Sequence, residues 1–199
     1  MDKSENNLLI RPIEQITSKH FKLFLEADPS RKIVNDYVDR AYQFELVDNS
    51  ELLGVLLLLD TRPETVEIVN IAVDETARNQ GLGEKLILFA LDWSKQHHYR
   101  TVSIGTGSTS FAQLYLYQKC GFRVVSIDRD FFVDNYDEPI MENKLLLKDM
   151  IRLEKNLQSN DRKEASDKLN QAIKNIPVQY LNTKEDVVRW LKENSEDDE

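Results

Sequence analysis

The order of apolar patterns along this 199-residue chain predicts an α+β fold. The expected architecture is a mixed, mostly antiparallel sheet flanked by helices, with a helical C-terminal extension. Three observations carry this. Three strand-like runs in residues 42–73 are joined by links so short that hairpins are the natural connection. A long amphipathic stretch, a strand and a second amphipathic stretch follow, which places a strand–helix–strand unit inside an otherwise antiparallel plan. Beyond residue 154 the pattern weakens and the chain ends in the acidic "ENSEDDE".

Each element has its own signal. "LLIRPI" (8–13) reads as a short strand ended by Pro12. Residues 17–27 carry Phe21, Phe24 and Leu25 at helical spacing, with Thr17 as N-cap, and 30–40 reads as a second short helix. "YQFELV" (42–47) is strand-like and is followed by the polar turn "DNSE". "LLGVLLLL" (52–59) fits a strand buried on both faces, and "TVEIVNIAV" (65–73) a β-branched strand with near alternation. Leu82, Leu86, Phe89 and Trp93 recur at i, i+4, i+7 and i+11, the stripe of an amphipathic helix. "TVSIGT" (101–106) is a strand. "SFAQLYLYQKCG" (110–121) is a helix, with Ser110 and Gln113 as a capping box and Gly121 as its terminal glycine. "FRVVSID" and "KLLLKDMIRL" are the last strands, separated by a loop dense in Asp, Tyr and Phe. We expect one domain over residues 1–154. A helical extension over 155–199 would be built from an Ala165–Leu169–Ala172–Ile173–Ile176 stripe and a second helix near Thr183, with an acidic tail.

Composition narrows the function. With 35 Asp/Glu against 26 Lys/Arg the net charge is −9, and no Lys/Arg-rich block appears. That argues against nucleic acid as a partner and is compatible with a cationic substrate. The first residues lack the apolar core of a signal peptide, and the longest apolar run is too short to span a bilayer. The reading is a soluble, cytoplasmic protein without membrane partners. Its single cysteine, Cys120, excludes an intrachain disulfide and reads as a packing residue. His20, His97 and His98 read as ordinary surface histidines and form no cluster at ligand spacing, so no metal is expected.

The stretch "RNQGLGEK" (78–85) holds the strongest chemical signal. It joins a strand to a long helix, whose first-turn amides lack intrahelical partners and face a favourable dipole for anions. A Walker loop would need Gly-Lys-Ser/Thr, whereas Gly83 is followed by Glu84, Lys85 and Leu86. A dinucleotide fingerprint would need a third glycine where Leu86 stands. Two readings of Gly81 and Gly83 remain: a backbone cradle for phosphate, or a tight turn with close helix packing.

At this point the sequence resembles a family. "IAVDETARNQGLG" is similar to the acetyl-CoA motif of the Gcn5-related N-acetyltransferases (GNAT), a strand followed by [QR]-x-x-G-x-[GA], matched by Arg78, Gly81 and Gly83. "LYLYQKCGF" resembles the second signature, L-Y-x-x-x-G-F, from Leu116 to Phe122. The resemblance covers about residues 8–154 and implies a three-layer GNAT-like fold with acetyl-CoA as co-substrate. It implies that backbone groups of Ile71 and Val73 bind the pantetheine arm. The pyrophosphate would fall to the amides around Arg78, Asn79, Gly81 and Gly83, with Glu84 at the helix start. Ser110 stands where the family often has an Asn that contacts pantetheine, so the expected contact there is a hydroxyl's.

The reaction implied is acetyl transfer to a primary amine, on a small molecule or a protein, by direct attack in a ternary complex. The alternative is a catalytically inactive acyl-CoA-binding regulatory or interaction module; a homodimer is also compatible with the sequence. An amine with a pKa near 10.4 is neutral in only about one part in a thousand at pH 7.4, a cost of roughly 4 kcal/mol, so a base is needed. The oxyanion needs a donor, for which the Val73 amide is in place, and the departing thiolate needs a proton. Spacing does not separate Tyr115 from Tyr117 as the acid; the resemblance selects Tyr117. Glu67 stands at the place where the histone-acetyltransferase branch carries a Glu base. A regular strand would put it on the face of Val69 and Ile71, and burial would raise its pKa. A solvated Glu at a sheet edge is the competing reading. In the acidic loop, Asp130, Asp134, Tyr136 and Glu138 are either solvated or recognise a cationic amine.

Overall fold

The computed structural model describes residues 8–158 and Arg189. The chain divides into two compact units, Met1–Leu157 and Gln158–Glu199. Apart from Arg189, the two helices expected between Ala165 and Glu193 lie outside the described residues. The first unit runs β1 (Leu8–Pro12), α1 (Ser18–Ala27), α2 (Arg31–Val38), β2 (Tyr42–Asp48), β3 (Glu51–Arg62) and β4 (Thr65–Val73). It continues with α3 (Leu82–Gln96), β5 (Thr101–Gly107), α4 (Phe111–Lys119), β6 (Arg123–Asp128), α5 (Phe131–Asn135), β7 (Met141–Glu142), β8 (Leu145–Leu146) and β9 (Met150–Asn156). β9 thus extends two residues past the 154/155 boundary drawn from sequence. The predicted strand "KLLLKDMIRL" is two pieces, β8 and β9, with residues 147–149 between them.

Seven strands form one sheet in the order β1-β2-β3-β4-β5-β9-β6, and β7 and β8 form a separate hairpin. Every pairing in the large sheet is antiparallel except β4–β5. This is the mixed, mostly antiparallel sheet that the order of elements predicts. α3 supplies the crossover between the two parallel strands.

Each face of the sheet has its own core. Phe44, Leu46, Leu56, Leu58, Val66 and Ile68 pack with Leu82, Leu86, Ile87 and Ala90 of α3. Val55, Leu57 and Ala72 pack on the other face with Leu23 and Phe24 of α1 and Val34, Tyr37 and Val38 of α2. The unbroken run at 52–59 follows from this, because alternate residues of β3 fill opposite cores. At the helix starts Ser30 caps α2, its Oγ accepting from the Ile33 amide at 3.4 Å. The capping box expected at Ser110 does not form: the Ser110 side chain makes no cap bond and bonds Glu142 instead. His20 is not a surface histidine. It is 6% exposed, with one ring nitrogen 2.8 Å from Thr17 Oγ1 and the other 2.8 Å from Glu45.

Candidate active site

The site begins with a fault in the sheet. β4 pairs with β3 from Thr65, with one shift between Asp60/Val66 and Arg62/Thr65 and a second between Leu57/Asn70 and Leu58/Ile68, where Val69 is an extra residue in β4. Such a bulge bends its strand. The β4–β5 ladder stops there: only Thr65–Ile68 pair with Thr101–Ile104. Beyond it β5 pairs with β9 and β4 with β3. The two parallel strands therefore part. The β5-facing backbone edge of β4 from Val69 to Val73, including Ile71 and Val73, is free of sheet partners.

The bulge also corrects the expected placement of Glu67. Ile68 and Ile71 both face the α3 core, Val69 and Ala72 face the α1/α2 core, and Asn70 bonds α1 and α2. Glu67 alternates with Val66 and Ile68, so it shares a face with Val69, Asn70 and Ala72, and not with Ile71. Nor is it solvated. Its carboxylate meets the Arg152 guanidinium at 2.9 Å, and Arg152 holds Asp128 at 2.6 Å on its other side. The Arg152 guanidinium lies 5.4 Å from the centre of the Phe131 ring. Glu67, Arg152 and Asp128, with Arg62, Ser103 and Glu154, line an open groove of about 300 Å³. Ser103 Oγ there is buried without a hydrogen-bond partner. Burial pushes the Glu67 carboxyl above its ordinary value, and the Arg152 charge opposes that rise without cancelling it.

On the opposite face stands α4. Tyr117 is 5% exposed and belongs to the α3-side core, while Tyr115 is 70% exposed, so the fold separates two residues that spacing did not. Burial raises the Tyr117 pKa, with the nearby Cys120 adding to the rise. A hydroxyl so placed stays protonated at neutral pH. Cys120 is a buried free thiol, its pKa also raised by burial.

The glycine loop leads into α3. Asn79 and Gly81 both have left-handed backbone, φ 62° and 78°, and Gly81 is the helix N-cap. The fold thus demands glycine-like freedom at 81. At Gly83 it does not: an added Cβ would meet only Leu116 at 3.4 Å, an ordinary contact. The Arg78 side chain is committed to the scaffold, donating to Val73 O at 3.1 Å and to Glu26 of α1 at 2.8 Å. The Glu84 carboxylate is paired with Lys119 at 2.6 Å, tying α3 to α4. Both side chains are thus engaged with the scaffold, while the backbone of the loop faces no such commitment in these contacts. Ser110 is 6% exposed; its hydroxyl, like that of Thr109, donates to Glu142.

The acidic loop does not gather its four expected residues. Asp130, Asp134 and Glu138 are exposed. Tyr136 alone turns inward, its hydroxyl donating to Asp28 at 3.1 Å. The sequence reading also missed Asp28, Tyr37, Asn70, Asp128 and Arg152. Asn70 carried a signal, as the one amide in an apolar strand; Asp28, between the two expected helices, carried none.

Among the described residues no group of His, Cys, Asp or Glu could hold a metal ion, and no helix is long and apolar enough to cross a membrane. The model of the acetyltransferase (GNAT) family matches residues 11–122. The chain is 48% identical over 140 residues to the uncharacterized N-acetyltransferase YvbK of Bacillus subtilis, covering 70% of this chain and 90% of that one. A Bacillus subtilis acetyltransferase solved in complex with CoA superimposes with TM-score 0.73 at 46% identity, covering 75% of this chain and 99% of that one. A GNAT enzyme from Elizabethkingia anophelis with acetyl-CoA bound gives TM-score 0.73 at 40% identity, covering 76% and 99%. A parted strand pair beside a glycine-capped helix, in a chain this close to proteins that hold CoA and acetyl-CoA, leads to one conclusion: this is a member of the GNAT acetyltransferase family, an acetyl-CoA-dependent N-acetyltransferase.

Proposed function

We propose that the protein moves the acetyl group of acetyl-CoA to a primary amine, free or protein-borne, by direct attack in a ternary complex. One observation carries this: Glu67 stands on the α1/α2 face of the sheet, one residue before the last β4–β5 pair, and Tyr117 belongs to the core on the α3 face. An acceptor can then approach from the α1/α2 face while the thioester enters along the edge of β4. The pantetheine would add to that edge as a strand does, through backbone groups of Ile71 and Val73. The pyrophosphate would lie on the free amides from Asn79 to Glu84; the lack of any demand for glycine from the fold at Gly83 supports a close ligand there.

The steps balance. The ammonium gives a proton to the Glu67 carboxylate, whose raised pKa makes it a better base than an exposed Glu. The amine nitrogen attacks the thioester carbonyl, and the Val73 amide donates to the oxyanion. The C–S bond breaks, the Tyr117 hydroxyl gives its proton to the thiolate, the nitrogen's second proton passes to solvent as the amide forms, and exchange with solvent returns Glu67 to the carboxylate and Tyr117 to the phenol. Initial rates with both substrates varied test this. Intersecting reciprocal lines are expected, and parallel lines would overturn direct transfer. Tight acetyl-CoA binding with no thiol release across an amine panel would favour the inactive binding module instead.

A further inference from the structure

One buried charge takes no part in the scheme above. Asp28, in the turn between α1 and α2, is 9% exposed. Its carboxylate accepts from the Ser30 amide at 3.0 Å and from the Tyr136 hydroxyl at 3.1 Å, and it acts electrostatically on the nearby Tyr37 hydroxyl. Tyr37 in turn accepts from Asn70 Nδ2 at 2.8 Å, which also donates to Phe24 O at 2.9 Å. So Asp28 is coupled through one residue to β4, at the bulge that opens the sheet and on the face that carries Glu67. Among the described residues no Lys, Arg or His pairs with it. The other buried carboxylates on this face have cations: Glu45 has His20 and Arg11, and Glu67 has Arg152.

A carboxylate removed from water without a counter-charge is costly. The two hydrogen bonds offset part of that cost and leave the charge itself uncompensated. Its surroundings suit a cation. Tyr136 packs against Phe131 and Phe132, with centroids 6.4 and 5.3 Å away, and aromatic faces attract ammonium groups. A second sign points the same way. Asn70 is 2% exposed and its Oδ1 has no partner, so a buried acceptor lies on the amide that joins this cluster to β4.

We infer that Asp28, walled by Tyr37 and Tyr136, binds a second cationic nitrogen of the acceptor, so that the preferred substrates are amines with another ammonium group on the same skeleton. This rests on the acetyl-transfer reading above. The reacting nitrogen loses its proton to Glu67, and the distant one keeps its charge and neutralises Asp28. Asn70 Oδ1 is a further acceptor for its N–H groups. The competing explanation makes Asp28 a staple for the α1–α2 turn and the loop over it. Asp28→Asn separates the two, because an amide oxygen still accepts from Ser30 and Tyr136 but carries no charge.

The test uses the full chain with acetyl-CoA and matched amines: diaminobutane against butylamine, and diaminohexane against hexylamine. We expect wild-type kcat/KM to favour the diamine of each pair by about tenfold or more, mostly through KM. In Asp28→Asn that ratio should collapse toward one. Tyr136→Leu, which removes the aromatic wall, should lower it in the same direction by less. Because the readout is a ratio within each variant, a general loss of folded enzyme does not imitate it. A wild-type ratio near one, or a ratio that survives Asp28→Asn, overturns the inference alone. Failure of every amine to release CoA overturns the acetyl-transfer reading and takes this one with it.

Discussion

The two faces of the sheet are built in opposite ways. Under α3 and α4 the interior is almost wholly apolar, and what it offers a ligand is backbone: the parted edge of β4 and the first amides of α3. The face that carries α1 and α2 holds charge: the Arg11–Glu45–His20 chain, the Asp28–Tyr37–Asn70 cluster and, beside an open groove, the Glu67–Arg152–Asp128 chain. The difference matches two tasks. A common donor can be held by backbone groups, which tolerate many side chains around them. Choosing and deprotonating one amine takes side chains whose charges are fixed in place, and these are stable only with partners.

The comparison can be broken most sharply at the acid. Tyr117→Phe should lower kcat by about a thousandfold while acetyl-CoA still binds with near-parent affinity by calorimetry; equal losses in both would make Tyr117 a packing residue only. On the charged face, Glu67→Gln should cost about a hundredfold in kcat, toward the low end for a positioned base. The sign of its pH effect follows from burial. The group must be ionised to act and its pKa is raised, so the parent rate falls with falling pH earlier than an exposed Glu would allow. The variant's profile should lack that limb.

A smaller effect belongs to the backbone cradle. Gly81→Val puts a β-branched residue at φ 78°, at a strain of about 1–2 kcal/mol, and should weaken acetyl-CoA roughly tenfold with little change in the acceptor KM. The gentlest test compares the two partners of Glu67. Arg152→Gln removes the charge that opposes desolvation, so the acidic limb should move up in pH. Asp128→Asn removes a like charge and leaves Arg152 to Glu67 alone, so the limb should move down. Shifts in one common direction would show that Arg152 does not divide itself between the two carboxylates.

Most of the architecture was legible because periodicity reports burial. The alternation in β4, the continuous run in β3 and the four-residue stripe in α3 each follow from which core a face meets. The donor loop was legible too, since left-handed backbone at Gly81 and a helix start leave a local trace. The acceptor side was not. Val69 looks like any β-branched strand residue, yet as the extra residue it turns Glu67 away from the face of Ile71. Ser110 resembles a cap but is taken by Glu142, thirty-two residues on. Asp28 looks like a turn residue until Tyr136, 108 positions away, lies against it.

The sequence by itself therefore determined the sheet and its order of elements, the glycine-capped helix and the family, because those rest on local pattern and on short motifs of contiguous residues. Only the tertiary structure decided which buried charges meet, which glycine the fold demands and which tyrosine is inside. Desolvation and ion pairing depend on distances of a few ångströms between groups far apart in the chain, and a linear pattern carries no record of them.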